Sequence, residues 1–137
     1  MSMTDPDTYA RFERSLFRCS ADESFLERFY DRFLKSSDEV AARFSGVDMK
    51  RQRNILRGSL YLVARAAGGF SDGMEHLEQI ARSHGERGLD IKPSFYDQWL
   101  DALVGAARQT DPSFDDATAD AWLACLRPCI AVMVGRA

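Results

Sequence analysis

From Thr8 to the C-terminal segment the apolar residues of this chain recur at helical spacing, and no stretch keeps the polar–apolar alternation of a strand. A fold built on such a pattern packs helices against helices. The first helix, Thr8 to Cys19, groups Tyr9, Phe12, Leu16 and Phe17 on one side and Arg11, Glu13, Arg14 and Arg18 elsewhere. Ser20 and Glu23 have the spacing of a capping box, which predicts that a second helix starts at Ser20. That helix presents Phe25, Leu26, Phe29, Tyr30, Phe33 and Leu34 as one apolar band. A short helical turn over Ser37 to Arg43 leads through Phe44 to a corner at Ser45, Gly46 and Asp48.

The next helix is long, from Met49 to about Ala67, with Ile55, Leu56, Ser59, Leu60, Leu62, Val63 and Ala66 on its inner side. Gly68-Gly69 ends it, and Ser71-Asp72-Gly73 offers the cap of the following helix. Leu89 to Pro93 reads as an extended connection, after which Ser94 caps a helix facing inward with Tyr96, Trp99, Leu100, Leu103 and Ala107. Thr110 to Asp116 forms the last loop. The final helix turns Ala119, Trp122, Leu123, Leu126, Ile130 and Met133 inward, and Pro128 removes its bond to Ala124.

A length of 137 residues predicts one domain over 1–137 with one sizeable core. The net charge of −3 provides no general basic field for nucleic acid, and Arg51, Arg53, Arg57 and Arg65 read as a solvated helix face. No apolar run approaches the roughly 20 residues of a bilayer span, and Asp5, Asp7, Arg11 and Glu13 occupy the place of a signal-peptide core. The expectation is a soluble, cytoplasmic protein that binds neither membrane nor nucleic acid. Cys19, Cys125 and Cys129 are odd in number and lie in helical patterns, which favours reduced thiols.

Three polar groups are aimed into this apolar pattern. Leu77, Ile80, Ala81 and His84 share one helical stripe, so an imidazole points where aliphatic groups point, and Gly85 and Gly88 end that helix. Gln52 lies near the middle of the apolar side of its helix, one turn before Leu56, and Tyr30 lies inside the band of the second helix. His76 is rotated away and is expected at the surface. Each group alone fits a core residue with a satisfied hydrogen bond. His84 has no neighbouring imidazole or carboxylate for a zinc shell and no Ser or Cys spaced as its nucleophile. A single inward histidine does suit the axial position of a haem iron, where the porphyrin supplies four nitrogens.

Taken together, these segments resemble the bacterial single-domain globins related to flavohaemoglobins, over nearly the whole chain. The resemblance rests on Phe29-Tyr30 with Phe33, then Glu39-Val40 and Phe44; on Gln52-Arg53 with Leu56; on Ile80 to His84 with Gly88; and on Tyr96 and Asp120-Ala-Trp122. It implies an all-α globin fold, a three-over-three helical sandwich with a short or absent fourth helix, around a pocket for haem b. By resemblance His84 is the iron ligand, and Phe44 is the corner aromatic against the porphyrin. Tyr30 and Gln52 are distal donors to bound O₂, and Leu56 is the wall over the iron. Phe29, Phe33, Ile80, Leu89 and Tyr96 are expected along the pocket. Arg53 or Lys50 would replace Gln52 as donor if the helix began in another register.

The chain departs from the flavohaemoglobin pattern in one respect. Those proteins place a carboxylate in the last helix that, with a tyrosine like Tyr96, hydrogen-bonds the proximal histidine; here the corresponding place falls near Ala137 and no glutamate stands there. The resemblance implies reversible binding of O₂, NO or CO by a monomer or homodimer, with NO dioxygenation if a separate reductase supplies electrons. A sensor or carrier without turnover, and a haem-free globin-fold interaction module, are the alternatives left open.

Overall fold

The computed structural model describes the backbone of residues 5–86 and 93–136, and the side chains of 5–82 and 93–134. Among the described residues there is no strand. The helices are α1 (Pro6–Ser20), α2 (Phe25–Lys35), α3 (Asp38–Arg43), α4 (Met49–Ala67), α5 (Ser71–Glu86), α6 (Pro93–Thr110) and α7 (Asp116–Arg136).

Their limits follow from short-range chemistry. Asp5 caps α1 by accepting from the Thr8 N–H, and Pro6 supplies the first turn where its missing donor costs nothing. Ser37 and Asp48 cap α3 and α4 in the same way, through the Val40 and Arg51 N–H groups. The capping box expected at Ser20 does not form. Ser20 is the last residue of α1, and the chain turns before α2 begins at Phe25. Asp22, inside that turn, accepts from both the Ser24 N–H and its hydroxyl. Pro93, one residue ahead of the expected Ser94 cap, already lies in α6.

Helix α2 packs along α6, α4 along α5, and α7 touches α1, α4, α5 and α6. The result is an all-α sandwich of three helices over three, with α1, α4 and α5 set against α2, α6 and α7. Helix α3 is a short corner beside α2, and only residues 44–48 separate it from α4, so no further helix intervenes. Helix α7 corrects one expectation, since Asp116–Val134 is by length and composition apolar enough to cross a membrane, with mean hydropathy 1.4. Its apolarity has a packing cause: Ala121, Trp122, Cys125, Leu126, Cys129 and Met133 are all buried against the four helices around it. The helix continues through Pro128.

Two apolar residues assigned inward from periodicity face solvent instead. Phe17 is 76% exposed and Ile55 55% exposed. Both stand at the edge of their stripes, where packing rather than spacing decides the side. The three cysteines are buried and none forms a disulfide. Burial pushes the thiols of Cys19 and Cys129 up to about 12 and about 11, which leaves both protonated at neutral pH.

Candidate functional site

Between α2, α3, α4, α5, α6 and α7 lies an apolar cavity of about 370 Å³. Such a volume is typical of small-molecule sites, at roughly 300–1,000 Å³. Helix α2 gives it Tyr30 and Phe33, and Phe44 follows from the corner after α3. Helix α4 contributes Gln52, Leu56, Ser59 and Val63, three to four residues apart and thus on one face. Ile80 comes from α5, Phe95, Tyr96 and Trp99 from α6, and Met133 from α7.

The aromatic side is built by contact. Phe44 meets both Tyr30 and Phe33 edge-on at 5.9 Å between ring centroids. Such tilted pairs fix ring orientation as well as burying area. Phe29, expected along the pocket, stands one layer back, fully buried against Tyr30, Phe33 and Trp99. It borders the cavity only through those rings. The physical reason is its position one residue before Tyr30, which turns it by about 100° toward α6.

Several polar groups reach the cavity. The Gln52 side chain and Arg53 lie near enough to the Tyr30 oxygen to favour the ionised phenol. Burial outweighs both and holds the Tyr30 hydroxyl above the ordinary phenol range. Tyr30 is therefore a neutral O–H donor at physiological pH. Tyr96 is likewise raised by burial. Arg43 reaches the cavity with its guanidinium 5.5 Å from the Phe95 ring centroid.

Periodicity overlooked one polar pair. Ser59 Oγ and His76 Nε2 share a hydrogen bond of 2.8 Å, so His76 is partly buried between α4 and α5 instead of standing at the surface. Burial lowers its pKa. A serine on an apolar face was the available signal, because a buried hydroxyl needs a partner. Arg43, Phe95 and Val40 were missed because their approach depends on how α3 meets α6, which no local spacing encodes.

The structure brings Tyr30, Phe33, Phe44, Gln52, Leu56, Ile80 and Tyr96 to one cavity. His84 belongs to the last turn of α5, but its side chain, like all of Leu89, lies outside the described residues. Among the described residues no group of three or more His, Cys, Asp or Glu is placed to hold a metal ion. The lining instead fits a flat apolar ligand: aromatic and aliphatic walls, an aromatic edge at Phe44, and a few polar groups, among them the Tyr30 hydroxyl and the Gln52 amide.

No family model and no curated protein matches the chain. Among solved structures it is similar to the protein PA3967 from Pseudomonas aeruginosa PAO1, described as structurally highly homologous to a human hemoglobin. The two are 36% identical, the match covers 94% of this chain and 97% of that one, and the TM-score is 0.87. With identity at that level over nearly the full length of both chains, this chain belongs to the globin family, among its bacterial single-domain members.

Proposed function

We propose that the cavity holds haem b and that the protein reversibly binds O₂, and also NO and CO, in the cytoplasm. The observation that carries this reading is the buried Tyr30 hydroxyl with the half-buried Gln52 side chain beside it, both lining an apolar cavity in a chain of the globin family. When bound, haem would supply the ferrous iron chemistry that binds diatomic gases. His84, one helical turn after the cavity residue Ile80, is the proposed iron ligand. Phe44 is the proposed edge contact for the porphyrin. Phe33, Ile80, Tyr96 and Leu89 are the proposed flanking contacts, with Phe29 supporting them from behind.

Burial holds the Tyr30 hydroxyl above the ordinary phenol range, so the tyrosine keeps its proton for an acceptor in the cavity, and the Gln52 amide stands beside it as a second donor. An acceptor carrying partial negative charge gains about 1.5–3 kcal/mol from such a bond, roughly a tenfold to hundredfold slower escape. Leu56 and Val63 keep the surroundings dry, which preserves that strength. The same pocket would support oxidation of NO by O₂ to nitrate, with the one electron required coming from a separate reductase. Substituting Tyr30→Phe is expected to speed O₂ dissociation by about tenfold to hundredfold in stopped flow, and Gln52→Leu by a smaller factor. Unchanged O₂ dissociation in both variants would remove the proposed distal roles.

A further inference from the structure

A second concavity, of about 810 Å³, lies between α1, the start of α2 and a different face of α4. The α4 residues that line it are Arg57, Leu60, Tyr61, Ala64 and Arg65, rotated away from the Gln52, Leu56, Ser59 and Val63 face of the aromatic cavity. Its floor is buried and aliphatic, with Leu16, Leu26 and Leu60. Above that floor Phe17, Tyr61 and Phe70 remain 76%, 63% and 47% exposed, an arrangement that leaves apolar area in water around a groove.

Most charges along the groove already have partners. Arg18 is paired with Asp111, Arg65 with Asp72 and Asp22 with Arg28, whereas Glu13 accepts only from the neutral Tyr9 hydroxyl. Arg14 and Arg57 have no carboxylate partner among the described residues, and Arg57 bonds only the neutral Asn54 side chain. Arg14 and Arg57 outnumber the one uncompensated carboxylate, Glu13, so the groove carries an excess of positive charge on a chain whose net charge is −3. A second copy docked groove to groove would bring two such rims together, at a cost in repulsion.

We propose that this groove binds a free long-chain carboxylate, with the acyl chain along Leu16, Phe17, Leu60 and Tyr61 and the head group at the rim formed by Arg14 and Arg57. Apolar walls supply the affinity, and the arginines select an anion over a neutral chain. The test is displacement of fluorescent cis-parinarate from the purified full chain by palmitate, with hexadecanol and hexanoate as competitors. Palmitate is expected to compete at least about tenfold better than either, because each competitor lacks one of the two recognition elements. The double variant Arg14→Gln/Arg57→Gln, altered only at exposed positions, is expected to weaken palmitate by about tenfold or more, and Phe17→Ser to weaken it further. Absence of cis-parinarate binding, or equal competition by hexadecanol, would overturn the proposal. So would binding that is lost in Leu56→Trp but kept in the arginine double variant, which would put the chain in the aromatic cavity.

Discussion

Asp111 shows what a single buried charge does in this molecule. Its carboxylate is 3% exposed as a residue and takes the Ser15 hydroxyl at 2.7 Å, the Arg18 guanidinium at 2.6 and 2.9 Å, and the Ser113 N–H at 2.9 Å. Trp122 Nε1 donates in turn to Ser15 Oγ at 2.9 Å. Burial alone would raise the Asp111 pKa, but the bonds from Arg18, Ser15 and Ser113 outweigh it and hold the carboxyl below its ordinary range. A depressed carboxyl contributes stability that is present above its unfolded pKa, near 3.9, and is lost as pH falls through the lower folded value. Asp111→Ala is therefore expected to cost about 2–4 kcal/mol at pH 7 in urea unfolding, and the difference from the parent should shrink below about pH 4. None of this was legible in the sequence. Asp111 reads as a loop residue, and its partners Ser15 and Arg18 lie 96 and 93 positions away.

At the scale of elements, the α4–α5 pair sets the width of the aromatic cavity, because α4 brings Gln52 and Leu56 and α5 brings Ile80. The pair closes at Gly73. A Cβ there would stand 2.2 Å from the Ala66 nitrogen and 2.5 Å from the Leu62 oxygen, both backbone atoms that cannot yield alone. Gly73→Ala is expected to cost about 1–3 kcal/mol or more in thermal unfolding, by forcing the helices apart. Gly58→Ala is the contrasting case, on the same helix α4 with open space around it. It is expected to stabilise by about 0.5–1 kcal/mol through helix propensity. The helices were readable because their stripes keep a period near 3.6 over many turns. Gly73 was readable only as a turn former, since its close approach depends on a residue seven positions back across a helix crossing. The capping box at Ser20 failed because α1 runs on through Ser20, an extent that the four-residue motif does not contain.

Across the whole molecule, the order of helices and the short corner at residues 44–48 place α2, α4 and α5 around one cavity. The spacing arguments for Tyr30, Gln52 and Leu56 needed only rotation about single helices, and these residues do meet there. Phe29 needed the α2–α6 contact, which spacing does not contain. The exposed Phe17, Tyr61 and Phe70 belong to the same scale, since only the packing of α1 against α4 gathers them into a groove. The central claim is that this globin cavity takes haem through His84. The most direct test is the absorption spectrum of the protein expressed with haem supplied, recorded after reduction and again after exposure to air. The account predicts haem equimolar with the chain, a Soret band that shifts to a stable oxygenated form, and loss of that spectrum in His84→Ala. A protein without a Soret band, or an unaltered five-coordinate ferrous spectrum in His84→Ala, would contradict it.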